Sequence, residues 1–179
     1  MEHNMQHPGS TIGVLGAQTG RVWHDIDVAG DTILVVEDNP DVRNMLAMRL
    51  EFSHYVVRVA ATGAEALEFM DSHPDDVPSL VIADVVMPEM DGIQFCTAVR
   101  SRPRYQETPL VFFSGLPEDD PRVVEMMEQP CVWHVTKGGR VEQIVELIKG
   151  LLDGAGNGSA GKAAGTEGAA GQLHLFRHP

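Results

Sequence analysis

The sequence has few cysteines and no long apolar run. Its two cysteines, Cys96 and Cys131, are not in a Cys-x-x-Cys spacing, so we expect two reduced thiols that serve as small core side chains. No segment approaches the about 20 consecutive apolar residues that a membrane-spanning helix needs. The N-terminus also lacks the basic start and the apolar stretch of a signal peptide. We therefore expect a cytoplasmic protein without membrane contacts.

Positive charge is scarce as well. Thirteen Lys and Arg residues stand against 26 Asp and Glu residues, which gives a net charge of -13. Such a field repels nucleic-acid phosphates and anionic lipid headgroups, so binding to nucleic acid or to a membrane surface is disfavoured. The 43% of hydrophobic residues is nevertheless enough to build the core of an ordinary globular domain.

The 179 residues divide into three segments. Residues 1–30 have no sustained periodicity, and we interpret them as an N-terminal arm whose order the pattern does not specify. Residues 31–152 carry the predicted domain and most of the charge, with 10 basic and 21 acidic residues. In residues 153–179 glycine and alanine dominate, which predicts a flexible tail with a small apolar cluster, Leu173–Phe176, near its end. We expect no DNA-binding output domain after residue 152.

Short apolar runs alternate with helical patterns five times between residues 31 and 152. The predicted strands are Thr32–Val36, Tyr55–Val59, Leu80–Asp84, Leu110–Ser114 and Cys131–Thr136. The first two predicted helices begin at Asn39-Pro40 and at Thr62. The third covers about Gly92–Arg100 and the fourth Asp119–Glu128. The fifth is marked by an apolar stripe from Val141 to Leu151. Apolar strands joined by helical crossovers indicate an α/β fold, a (βα)5 doubly wound parallel sheet.

Polar residues end or directly follow four of these strands. Glu37 and Asp38 follow the first strand, Asp84 ends the third, Ser114 ends the fourth, and Lys137 follows the fifth. The carboxyl ends of parallel strands share one edge of the sheet, so these side chains should converge there. Three neighbouring carboxylates repel one another unless a cation lies among them, and oxygen ligands suit Mg²⁺. We predict a magnesium site at which a hydroxyl and a lysine add donors for a phosphoryl group.

The segment from Val81 to Gly92, VIADVVMPEMDG, resembles the phosphoacceptor segment of two-component response-regulator receiver domains. The resemblance extends over residues 31–152 in order and spacing: an acidic pair, an acceptor aspartate, a hydroxyl residue and a lysine. It implies the flavodoxin-like strand order 2-1-3-4-5.

The resemblance also implies the roles of the acidic residues. Asp84 would accept a phosphoryl group from a phosphohistidine on a sensor histidine kinase or a histidine phosphotransfer protein. Mg²⁺ would be held by Glu37, Asp38, Asp84 and the backbone carbonyl of Val86. The product is an acyl phosphate that water can later hydrolyse, so the protein would be a phosphoacceptor and not a conventional enzyme.

A conformational switch is implied by the same resemblance. Ser114 would hydrogen-bond the bound phosphoryl oxygens, and Lys137 would pair with them. His134 stands where the family commonly has Tyr or Phe, and it would rotate as the loop after Ser114 moves. The readout would be the face built by helix four, strand five and helix five, which would contact a downstream protein. We expect a monomer or a weak dimer.

One departure from the family leaves an alternative open. Gly138 follows Lys137 where the family usually has proline, often with a cis peptide bond. A cis bond without proline costs about 3–4 kcal/mol, so we predict a trans bond and a more mobile loop. The alternative is a pseudo-receiver, a protein-binding module that works without phosphorylation.

Two enzyme classes of similar architecture fit less well. A haloacid-dehalogenase-like phosphatase needs a second aspartate where this chain has Val86, and the acidic pair after the first strand would repel a flavin phosphate.

Overall fold

The computed structural model describes residues 30–156, in which strands and helices alternate. The strands are β1 (Thr32–Val36), β2 (Val56–Ala60), β3 (Leu80–Ala83), β4 (Leu110–Ser114) and β5 (Val132–Thr136). The helices are α1 (Pro40–Phe52), α2 (Gly63–Ser72), α3 (Gly92–Arg100), α4 (Pro121–Met127) and α5 (Val141–Gly156), with a short 3-10 helix at Pro103–Tyr105. Almost all of the predicted arm, and the predicted tail beyond residue 156, lie outside the described residues.

The five strands form one parallel sheet in the order β2-β1-β3-β4-β5. The predicted (βα)5 fold and the predicted strand order are therefore confirmed. The chain runs from β1 outward to β2 and then returns past β1 to β3, so the direction of the strand order reverses between β1 and β3. Ligand sites of doubly wound sheets form at the carboxyl ends of the strands beside such a reversal.

The sheet is covered on both faces, which explains why its strands are continuously apolar. Leu34 and Val36 of β1 face a core that includes α2, α3 and α4. The alternate residues Ile33 and Val35 face a second core, formed with α1 and α5. Because β1 is buried on both sides, its register is fixed, and so is the position of the acidic residues that follow it.

Side-chain caps begin the helices near the carboxyl edge of the sheet. The Asn39 side chain accepts hydrogen bonds from the backbone N–H groups of Asp41 and Val42, and Pro40 occupies the first helical position, as the sequence predicts. The helix after β3 begins with a capping box between Asp91 and Gln94. These caps hold α1 and α3 directly against the loops that follow β1 and β3.

The fourth helix is shorter than the predicted Asp119–Glu128. Asp120 has extended backbone angles, and its side chain accepts a hydrogen bond from the Arg122 N–H, so Asp120 is the cap and the helix begins at Pro121. The last helix is longer than expected, since it continues to Gly156, beyond the predicted boundary at residue 152. Within residues 30–156 no helix is long and apolar enough to cross a membrane.

Candidate functional site

Three carboxylates meet at the carboxyl edge of the sheet. Val36 pairs with Ala83 across β1 and β3, which places the next residues of both strands side by side. One oxygen each of Glu37, Asp38 and Asp84 lies within 4.8 Å of the other two. Glu37 and Asp84 are buried, whereas Asp38 is exposed. The structure thus brings together the acidic residues that the sequence predicts, and we call these three residues the acidic cluster.

Lys137 supplies the positive charge inside this cluster. Its Nζ lies 2.7 Å from Oε2 of Glu37 and 2.7 Å from Oδ2 of Asp84. The Lys137 backbone is also fixed, because its N–H donates a hydrogen bond of 2.6 Å to the Ser114 carbonyl. No cis peptide bond occurs among the described residues, so the bond to Gly138 is trans, as predicted.

Burial and charge act in opposite directions on these groups. Burial raises the pKa of Glu37, and the negative charge of Asp84 raises it further. The Lys137 ammonium lowers the same pKa, but the two raising effects are larger, so the pKa of Glu37 is raised overall. Burial alone would lower the pKa of Lys137, but its hydrogen bonds and its attraction to Asp84 and Glu37 raise the pKa overall. One ammonium therefore contacts two of the three carboxyl groups in the cluster, and the remaining negative charge favours a further cation.

Backbone contacts hold the Asp84 carboxylate in one orientation. Its Oδ1 accepts hydrogen bonds from the N–H groups of Val85, at 2.6 Å, and Val86, at 3.3 Å. This leaves Oδ2 turned toward Lys137. Val86 lies in the loop after β3 and is 51% exposed. Its backbone carbonyl is the fourth ligand that the resemblance implies for Mg²⁺.

Gly92 allows α3 to approach this loop closely. Its N–H donates a hydrogen bond of 2.8 Å to the Val85 carbonyl. A Cβ atom at position 92 would lie 2.7 Å from the Asp84 carbonyl oxygen and 2.8 Å from the ring of Phe112. Only glycine fits this approach without a shift of the acceptor loop.

Arg43 is a site residue that sequence reasoning missed. Its Nη1 donates hydrogen bonds to the backbone carbonyls of Glu37, at 2.6 Å, and Asp38, at 3.2 Å. The Asn39 N–H also donates to Oε1 of Glu37 at 3.3 Å. Arg43 lies one turn after the cap Asn39. A long side chain in the first turns of α1 can reach back to the end of β1, and this position is the signal in the sequence that indicates the contact.

Ser114 lies at the end of β4, beside the cluster. It is fully buried, it pairs in register with Thr136, and its hydroxyl accepts a hydrogen bond from the Leu116 N–H at 3.2 Å. The hydroxyl is therefore engaged with the loop that follows β4. This is the loop whose movement the resemblance to receiver domains implies.

His134 lies on β5, opposite Phe112 in the register of the sheet. Its Nε2 is buried and has no hydrogen-bond partner within residues 30–156. Burial lowers the pKa of His134, and the charge of Glu118 opposes this effect in part. His134 is thus a largely enclosed imidazole beside α4, separate from the acidic cluster.

The two cysteines take no part in the site. Both are free thiols, as expected, and Cys96 is buried in the core. Burial raises the pKa of the Cys96 thiol.

Comparison with known proteins gives a consistent result. Residues 33–149 match the family model of the response regulator receiver domain. The response regulator Rre1 of Synechocystis is 30% identical over 122 residues, which cover 68% of this chain and 51% of that protein. The chain thus aligns with about half of this curated relative.

Two solved structures share the fold. The receiver domain of a signal transduction histidine kinase from Syntrophus aciditrophicus has a TM-score of 0.63 at 30% identity, covering 75% of this chain and 99% of that one. The chemotaxis protein CheY4 of Vibrio cholerae has a TM-score of 0.60 at 26% identity, covering 69% and 99%.

Proposed function

Because the chain belongs to the response regulator receiver domain family, we propose that it accepts a phosphoryl group on Asp84 from the phosphohistidine of a sensor histidine kinase or a histidine phosphotransfer protein. The observation that carries this proposal is the position of Asp84. It is buried among two further carboxylates, with one oxygen 2.7 Å from the Lys137 ammonium.

The hydrogen bonds of Asp84 suggest which of its oxygens reacts. Oδ1 is occupied by two backbone N–H groups, whereas Oδ2 faces Lys137. In the proposed step, Oδ2 forms a bond to phosphorus while the bond from phosphorus to the histidine nitrogen breaks. The electron pair of that bond returns to the imidazole, which takes up a proton. Lys137 would then pair with the phosphoryl oxygens and reduce their repulsion from Glu37.

The donor set fits Mg²⁺. Three carboxylates supply oxygen ligands only, and their oxygens lie close enough together to share one ion, which is the chemistry that this cation prefers. Glu37, Asp38, Asp84 and the backbone carbonyl of Val86 would hold it. When bound, Mg²⁺ would neutralise negative charge on the carboxylates and on the incoming phosphoryl group. Arg43 would keep the loop of Glu37 and Asp38 in place through the two carbonyls that it contacts.

The proposed signal is a shift of the loop after β4. The Ser114 hydroxyl, which now binds the Leu116 N–H, would turn to the phosphoryl oxygens. His134 would move into the space that this loop leaves. The changed surface of α4, β5 and α5 would then bind a downstream protein.

Chemical phosphorylation tests the proposal. The full chain is incubated with acetyl phosphate or phosphoramidate and Mg²⁺, and the added mass is located by peptide mass spectrometry. We expect labelling on Asp84, none in Asp84→Asn, and unchanged labelling in Asp75→Asn, a control that alters an exposed aspartate outside the cluster. A folded wild-type protein that stays unlabelled would contradict the proposal and favour the pseudo-receiver alternative.

A further inference from the structure

Helix α1 exposes two large apolar side chains far from the acidic cluster. Met48 is 69% exposed and Phe52 is 82% exposed, the highest values among the large hydrophobic residues of the described range. They are four positions apart and so lie on the same face of the helix. We call these two residues the α1 patch. Because the two side chains are adjacent, they form one continuous apolar surface that a further apolar group can cover.

The chain leaves α5 close to this patch. Both α1 and α5 begin at the carboxyl edge of the sheet and end at the opposite edge, and they share one core. Tyr55, three residues after Phe52, packs against the same core as Leu151 and Leu152 near the end of α5. Helix α5 therefore ends at the same edge of the sheet, and on the same face, as the C-terminal end of α1.

The sequence beyond Gly156 contains one apolar cluster within reach. Its only large apolar residues are Leu173, Leu175 and Phe176. The intervening residues 157–172 are mostly glycine and alanine, and a connector of this composition spans about 20 Å on average. A connector of this span is long enough to join the end of α5 to any position along α1, which has 13 residues and a length of about 20 Å.

The domain and residues 172–179 carry net side-chain charges of opposite sign. Residues 172–179 contain Arg177 and no acidic residue. The α1 patch lies on a domain in which acidic residues outnumber basic ones, and the exposed Glu51 directly precedes Phe52. The net charge of the domain therefore attracts a basic segment, and the exposed Arg49 beside Met48 is itself paired with Glu142 at 3.6 Å.

We propose that the segment Leu173–Phe176 binds the α1 patch of its own chain, with Phe176 packed against Met48 and Phe52. An aromatic ring against a methionine side chain is a favourable contact. A connector of this length gives an effective concentration in the millimolar range, so a weak contact is sufficient for binding. This inference is independent of phosphorylation at Asp84. Its consequence is that a protein partner that docks on α1 competes with the chain's own C-terminal segment.

Site-specific photocrosslinking in the full chain tests the proposal. The variant Phe176→p-benzoylphenylalanine is irradiated, and the crosslinked peptides are identified by mass spectrometry. We expect crosslinks to residues 45–56 within the monomer, with a yield that does not depend on protein concentration. Crosslinks mainly to another region, crosslinked dimers whose yield rises with concentration, or no crosslinks would each overturn the proposal.

Matched substitutions check the assigned surface. Phe52→Ser should lower the crosslink yield at least about fivefold, because it removes most of the apolar area of the patch. Val124→Ser, which alters an exposed apolar residue on α4, should leave the yield unchanged. Phe52 is exposed, so its substitution should not unfold the domain, and a circular dichroism spectrum verifies this. Equal yields in the two variants would also overturn the proposal.

Hydrogen exchange provides a second readout without the photoreactive group. The double variant Leu175→Ser, Phe176→Ser should increase amide exchange in residues 49–55 and leave the amides of β3 unchanged. Identical exchange of residues 49–55 in the variant and the wild type would contradict the contact.

Discussion

Nζ of Lys137 lies 2.7 Å from Oδ2 of Asp84, although 53 positions separate the two residues in the sequence. The same Nζ lies 2.7 Å from Oε2 of Glu37. One ammonium therefore joins the carboxylates that follow β1 and β3 to the strand β5. In the absence of a metal ion this contact is the main source of positive charge in the acidic cluster, and its removal leaves the two buried carboxylates with backbone N–H donors alone.

Replacing Lys137 should destabilise the metal-free protein. We expect Lys137→Gln to lower the free energy of unfolding by about 1–3 kcal/mol, because buried charged groups lose their partner. Saturating Mg²⁺ should recover part of this loss, since it supplies charge to the same carboxylates. Urea denaturation with and without Mg²⁺ measures both effects. Lys149→Gln, an exposed control on α5, should change neither, and a Lys137→Gln loss that Mg²⁺ does not reduce would contradict the shared site.

Asp38 should contribute to metal affinity although it is the exposed member of the cluster. We expect Asp38→Asn to weaken Mg²⁺ binding by about tenfold or more, because the hard cation loses a charged oxygen ligand. Isothermal titration calorimetry gives the dissociation constants. Asp41→Asn makes the same charge change three residues later, outside the cluster. If both variants bind Mg²⁺ equally well, Asp38 is not a ligand.

Gly92 should be more sensitive to substitution than a glycine with free space around it. The added methyl group of Gly92→Ala would meet the Asp84 carbonyl and Phe112, so we expect a loss of about 1–3 kcal/mol in unfolding free energy. The rate of Asp84 labelling should fall as well, because the acceptor loop shifts. At Gly150, inside α5, a Cβ meets nothing within 4 Å, and Gly150→Ala should stabilise the protein by about 0.5–1 kcal/mol. Thermal and urea denaturation compare the two, and equal effects would argue against the close approach.

The stability of the fold should depend on the protonation of His134. Burial holds the pKa of His134 below the ordinary 6.5 in the folded protein, so the unfolded chain binds a proton at higher pH than the folded one. The stability that follows from this difference is present above pH 6.5 and is lost as the pH falls toward the folded-state pKa.

His134→Phe should remove this pH dependence. Between about pH 7.5 and about pH 5.5, the unfolding free energy of the wild type should fall by more than that of the variant, because the other titrating groups are common to both. Urea midpoints at the two pH values give the comparison. Parallel curves for the two proteins would show that His134 ionises equally in the folded and unfolded states.

Much of the fold follows from local patterns. The strand Leu110–Ser114 and the helix Gly92–Arg100 are predicted with the bounds that the structure has, because an uninterrupted apolar run and a strong cap define them. The fourth helix begins later than predicted. Glu118, Asp119 and Asp120 are consecutive acidic residues, and Pro121 at the first helical position is the local signal that selects Asp120 as the cap, as Pro40 does for Asn39.

The candidate site was partly predictable for a topological reason. Residues that follow parallel strands share one edge of the sheet, so the approach of Glu37 to Asp84 follows from the strand order. The bridging position of Lys137 does not, because it depends on the register between β4 and β5 and on the hydrogen bond from its backbone to Ser114. The contact of Arg43 with the carbonyls of the acidic pair likewise depends on the angle at which α1 leaves β1.

The candidate site is assembled from residues that end or follow four strands, from Glu37 after β1 to Lys137 after β5, with Ser114 at the end of β4. No fragment that lacks either end of this range contains all of these residues. A newly synthesised chain would therefore have the complete site only after its last strand has joined the sheet. On the proposed function, incompletely folded or truncated chains would then lack a complete phosphoacceptor site.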